Sequence, residues 1–163
     1  MSEFIWALFD PAAQLPRDPA TIEVDLSGMA RLFSDLLDPV QMSAVEDDMD
    51  IPGELNALSI DALTVSAAGA RLTGTGAVEI DNTDTVTYGG MPKPVGSISL
   101  NLTGANMLLD SLVALGFVPE DNAMGARMMM GIFAVAGDGP DELNSTIEFT
   151  QDGQVLANGQ RLR

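Results

Sequence analysis

Apolar and acidic residues alternate over residues 21–26, with Ile22, Val24 and Leu26 on one side and Glu23 and Asp25 on the other. A period of two is the mark of a half-buried strand. After Gly28 the pattern blurs. Residues 30–37 fit either a short helix or a strand beyond a bend at Gly28, and the strand is preferred. Leu58, Ile60, Leu63 and Val65 then lead into Ala67-Ala68-Gly69, and Leu72, Gly74, Gly76, Val78 and Ile80 share one face beyond it. This reads as a hairpin turning near Gly69. Gly74 and Gly76 on the inward face predict a bend or a close backbone approach. Residues 81–94 carry Gly89-Gly90, Pro92 and Pro94 and read as a long loop. Residues 97–102 alternate again, with Ile98, Leu100 and Leu102 inward.

The period then lengthens to that of a helix. Leu108, Leu112 and Leu115 form one stripe, which Leu109 and Val113 widen and Gly116 stops. A second helix starts near Pro119, with Glu120 and Asp121 in its first turn, where acids suit the helix dipole. It runs through Met124, Met128, Met129, Met130, Ile132 and Phe133 and ends at Gly137, Gly139 and Pro140. The last segment, 143–160, is β-rich on both sides of Asp152-Gly153, a hairpin signal. Strands grouped together and helices grouped together predict an α+β fold. The expected architecture is an antiparallel sheet of five to six strands, with two adjacent helices inserted before a C-terminal β-hairpin. Residues 1–163 read as one domain. It comprises an apolar arm and proline-rich loop (1–20), a mainly β part (21–103), a helix pair (104–136) and the hairpin (143–160).

Composition narrows the chemistry. The chain has 163 residues, 24 acidic against 7 basic, and a formal charge of −17. Nucleic-acid binding needs clustered Lys and Arg, so no nucleic-acid partner is expected. Acid self-repulsion predicts that salt stabilises the fold and that stability rises as pH falls from 7 toward about 5. There is no Cys and no His. Disulfides, Cys- or His-based zinc sites, the Ser-His-Asp triad and cysteine nucleophiles are thereby excluded. Lys93 is the single lysine and lies between two prolines, a poor setting for a desolvated base. The acids Glu46, Asp47, Asp48, Asp50 and Glu54 lack the alternation, central Gly and closing Glu of a calcium loop and read as a solvated loop. No cofactor, metal or catalytic residue is assigned. No segment is long and apolar enough for a membrane helix.

The methionine-rich helix is the most unusual local feature. Met124, Met128 and Ile132 lie roughly on one side, with Met129 and Phe133 beside them and Met130 away from them. One reading is a helix buried on two sides, with Met filling irregular gaps. The other is an adaptable apolar surface for a ligand or partner, built from Met124, Met128, Met129, Met130, Ile132 and Phe133.

Three strings in the last third resemble a known family. They are Leu102-Thr103-Gly104-Ala105-Asn106-Met107-Leu108-Leu109-Asp110, Met124-Gly125-Ala126-Arg127-Met128-Met129-Met130 and Val155-Leu156-Ala157-Asn158-Gly159-Gln160-Arg161-Leu162. With residues 9–19 they resemble the alphaproteobacterial family called domain of unknown function 2125. The resemblance implies that the chain is the C-terminal part of a longer precursor in the periplasm or cell envelope. It carries over no catalytic residue. The expected function is therefore a non-enzymatic envelope domain binding a lipid-like apolar ligand or a protein partner. The alternatives are a purely structural or assembly domain and, last, a hydrolase using a carboxylate pair.

Overall fold

The computed structural model describes residues 6, 8, 10–11, 13–33 and 53–163. The element order is β1 (Thr21–Leu32), β2 (Gly53–Ala67), β3 (Ala70–Asp81), β4 (Lys93–Thr103), α1 (Ala105–Ala114), α2 (Glu120–Phe133), β5 (Val135–Ala136), β6 (Glu142–Phe149), β7 (Val155–Ala157) and β8 (Gln160–Arg161). The strands form one antiparallel sheet in the order β1-β2-β3-β4-β6-β7-β8, with β5 also paired to β6. This is the α+β architecture that the two periodicities predict, with both helices ahead of the C-terminal strands. The described strands number eight rather than five to six. The difference lies in β5 and β8, two residues each, which are too short to show alternation. The C-terminal hairpin also turns twice, at residues 150–154 and again at Asn158-Gly159 between β7 and β8.

One face of the sheet is apolar, and two bulges in β2 keep it so. Asp25 pairs Ala62 but Leu26 pairs Ile60; Met29 pairs Ala57 but Ala30 pairs Leu55. Each extra residue in β2 reverses the parity of the side chains that follow it. Val65, Leu63, Ile60, Leu58 and Leu55 therefore all lie on the face of Ile22, Val24 and Leu26. The same face continues through Leu72 and Val78 of β3, Ile98, Leu100 and Leu102 of β4, and Leu143, Ile147 and Phe149 of β6. The opposite face carries Glu23, Asp25, Thr64, Thr73, Thr75, Ser97, Ser99, Asn101, Thr146 and Glu148.

The predicted turn at Gly69 is present. Ala68 and Gly69 have φ of 49° and 85°, as a tight two-residue hairpin requires. Gly74 and Gly76 serve close approach rather than a bend. A Cβ at Gly76 would lie 2.6 Å from the Ser97 carbonyl oxygen and 2.8 Å from Ile98 Cα. β1 continues unbroken as a strand through Gly28, which lies close against the Ala57 carbonyl. Residues 34–37 of the predicted continuation lie outside the described residues. The predicted loop ends two residues early, because Lys93 and Pro94 already belong to β4. Pro94 pairs with Ile80 on one side, while β6 pairing begins at Gly96. A strand tolerates proline where no ladder bond is required of it.

Among the described residues of the N-terminal arm, Trp6 and Leu8 are helical. The fully buried Asp10 accepts hydrogen bonds from the amides of Gln14 (2.9 Å) and Leu15 (2.8 Å). These bonds close the turn that carries the chain to Pro16, which packs on Gly69 of the β2–β3 hairpin.

Candidate functional site

The helices do not cover the whole apolar face. α1 touches β3, and α2 lies over the Leu72–Leu102–Leu143 row. Farther out the face is open: Ile22 is 77% exposed, Val24 and Leu26 each 54%. Among the described residues the only buried apolar side chains are those of Ala105, Ala123 and Ala157.

Pro119 stands at the N-cap of α2 with a φ of −60°, and Glu120 and Asp121 occupy the first turn. Its far end is tied to the sheet. The Phe133 carbonyl accepts hydrogen bonds from Ser145 Oγ (2.6 Å) and Asn158 Nδ2 (2.9 Å). Arg127 joins α2 to α1, donating to Asp110 Oδ1 (2.6 Å) and Asn106 Oδ1 (3.2 Å). α1 has no acid in its own first turn. Asp141 supplies one from the loop before β6, accepting from the Asn106 amide (3.1 Å) and the Met107 amide (2.9 Å). Burial raises the Asp141 pKa, but these bonds and the Arg127 charge outweigh it and lower the net value. The helix pair is thus held at three points by polar contacts.

Between α2 and the sheet lies a cavity of about 270 Å³. Its walls are Met129, Met130, Phe133 and Ala134 from the helix end, and Leu72, Leu100, Leu102, Leu143 and Ser145 from the sheet. Nearly every wall is apolar, and Ser145 already bonds to Phe133. Of the helix residues singled out by sequence, Met129, Met130 and Phe133 meet at this cavity. Met124, Met128 and Ile132 do not line it and are 59%, 67% and 52% exposed. Met130, placed by helical angle away from the side of Met124, Met128 and Ile132, shares the cavity with Met129 and Phe133. The helix is not buried on two sides: Ala123 is its one buried residue. The sheet walls Leu72, Leu100 and Leu102 were legible as inward strand positions. Leu143 and Ser145 were not tied to the helix by any local signal.

A larger depression of about 590 Å³ lies on the other side of the sheet, near Asp81, Lys93 and Asp152. Lys93 Nζ sits 3.1 Å from Asp84 and 3.6 Å from Asp81. Its hydrogen bond with Asp84 raises its pKa against the opposing effect of burial, so the amine stays charged and is no base. Asp84 is lowered to about 2, first by the Thr87 amide and hydroxyl and then by Lys93. Asp81 is lowered by the Thr83 hydroxyl and amide, Glu142 by the Gly139 amide and Asn101, and Asp10 by the Leu15 amide. These displaced carboxylates are held ionised by hydrogen bonds, the reverse of what a general acid needs. Among the described residues, no group of three or more acidic side chains could hold a metal ion. Glu46, Asp47, Asp48 and Asp50 lie outside the described residues, and Glu54 pairs with Arg31 at 3.8 Å. No described helix is long and apolar enough to cross a membrane.

Comparison with curated proteins and with solved structures gave no match. A family model does match, over residues 6–162, nearly the whole chain. With its sheet, helix pair and the three strings around them, the chain belongs to the family described as "Uncharacterized protein conserved in bacteria (DUF2125)".

Proposed function

We propose that this is a non-enzymatic binding domain of the cell envelope, which takes a slim apolar chain of a lipid-like ligand between α2 and the sheet. The cavity walled by Met129, Met130, Phe133, Leu72, Leu100, Leu102 and Leu143 carries the reading. At about 270 Å³ it lies near the lower end of ligand sites and suits a single chain better than a bulky ring system. Unbranched, polarisable methionines let its wall adapt to chains of differing shape. The exposed apolar face of β1 and β2 offers a continuation for a longer chain. The charge of −17 disfavours an anionic headgroup, so the ligand is neutral or zwitterionic. Titration with a radiolabelled monoacylglycerol, whose label adds no bulk, tests this. Saturable binding, displaced by the unlabelled lipid, supports the reading; no saturable signal below the probe's aggregation limit rejects it.

A further inference from the structure

We propose that β1 pairs antiparallel with β1 of a second copy, about a two-fold axis at Ser27, joining two sheets into one.

All twelve residues of β1 are exposed, and among the described residues β1 has one strand neighbour, β2. Among the described residues its outer edge therefore presents a row of backbone donors and acceptors without a ladder partner. Natural sheets blunt such edges with proline, a bulge, a short strand or a charge turned inward. β1 has none of these. It is twelve residues long, contains no proline, and carries its charges only on the polar face. Both register shifts against β2 add the extra residue to β2, so β1 itself is unbroken.

Charge decides what strand fits. Glu23 and Asp25 sit near one end of the polar face and Arg31 near the other. Across β2, Glu23 faces Thr64 and Asp25 faces Ala62, neither a cation. Arg31 is 72% exposed and reaches Glu54 only at 3.8 Å. In an antiparallel self-pair centred on Ser27, Glu23 of each copy lies opposite Arg31 of the other. Asp25 lies on the diagonal to the same arginine, within reach of a long side chain. The apolar face matches in the same register, with Ile22 opposite Leu32, Val24 opposite Ala30 and Leu26 opposite Gly28. Equal parity keeps each face continuous across the junction. The contact is isologous, so each favourable pair occurs twice. The proposal does not rest on the lipid reading: it concerns the strand edge, not the cavity.

The test is sedimentation of the full chain over a wide concentration range at physiological salt. The wild type forms a reversible dimer. Glu23→Arg and Arg31→Glu each place like charges opposite one another twice and weaken dimerisation about tenfold. An equimolar mixture of the two variants restores it, because the new arginine of one faces the new glutamate of the other. That recovery also shows that both variants are folded. The chain has no cysteine, so Ser27→Cys introduces a single thiol on the axis. Mild oxidation cross-links Ser27→Cys into a dimer and leaves Thr21→Cys, far from its own counterpart, monomeric. A wild type that stays monomeric overturns the proposal. So does a dimer that neither charge variant weakens, or one that Ser27→Cys does not cross-link, since the copies then meet elsewhere. Dimerisation without binding of the labelled monoacylglycerol rejects the lipid reading and leaves this one standing.

Discussion

Asn158 Nδ2 lies 2.9 Å from the Phe133 carbonyl, tying the last turn of α2 to the β7–β8 hairpin. Asn158 Oδ1 accepts from the Thr146 amide at 2.9 Å, and the residue has a φ of 50°. One side chain therefore shapes the hairpin turn and fixes the helix end that walls the cavity.

Replacing Asn158 with Ala removes both side-chain bonds and leaves a residue ill suited to positive φ, which costs about 2–3 kcal/mol. Ser145→Ala removes one bond to the same carbonyl and costs about 1 kcal/mol. For a chain of this size that is a fall in Tm of roughly 3 °C for Ser145→Ala and two to three times as much for Asn158→Ala. Thermal melts monitored by circular dichroism read both.

Gly74 and Gly76 differ in what surrounds them, and substitution separates them. An added Cβ at Gly74 meets Leu100 Cδ2 at 2.7 Å, the end of a side chain that can turn aside. At Gly76 it meets backbone of Ser97 and Ile98 at 2.6 and 2.8 Å. Gly76→Ala is expected to cost about 2–3 kcal/mol and Gly74→Ala less than about 1 kcal/mol. Urea denaturation measures both. Equal costs at the two sites contradict the close strand approach described for β3 and β4.

Much of this architecture is legible in the sequence because strand and helix periods are local properties. The alternation at Ile22, Val24 and Leu26 and the change of period at Leu108 are visible within a few residues. The parity change between Ile60 and Leu63 is visible too, although only the pairing with β1 and β3 shows it to be a bulge. The missing pieces depend on distant partners. Asp141 caps α1 from 35 residues away, and Asn158 reaches α2 from 25, and nothing near either residue announces its target. The candidate cavity was half legible. The methionines mark its helix wall, but helical angle alone does not say that Met129 and Met130 rather than Met124 and Met128 face the cavity, because the sheet's placement decides which face is covered.

Acid stability follows from the carboxylates that hydrogen bonds hold ionised. Asp10, Asp81, Asp84, Asp141 and Glu142 all have lowered pKa values in the folded state. Each stabilises the fold above its unfolded value, 3.8 for Asp and 4.5 for Glu, and loses that contribution as pH falls through the folded one. Stability therefore drops below about pH 5 and keeps falling toward pH 2, where Asp84 titrates. The gain expected from relieving acid repulsion between pH 7 and 5 therefore gives way to a loss below pH 5. Asp84→Asn flattens the lowest part of the profile. Lys93, raised above 10.5, gives a contribution present below that value and lost as pH rises through its folded pKa. Lys93→Met removes that alkaline step. Urea midpoints measured across the pH range check both ends.

Filling the cavity under the end of α2 tests its capacity to take an apolar chain. Ala134→Leu places extra side-chain volume against Met129, Phe133 and Leu143 without touching the exposed outer face of α2. Met124→Ser alters that outer face and leaves the cavity intact. Each is titrated with the radiolabelled monoacylglycerol beside the wild type, with folding confirmed by thermal melt. Ala134→Leu is expected to weaken binding at least tenfold, while Met124→Ser binds as the wild type does. Unchanged binding by Ala134→Leu, with loss in Met124→Ser, would contradict this expectation and move the ligand to the open surface of the helix.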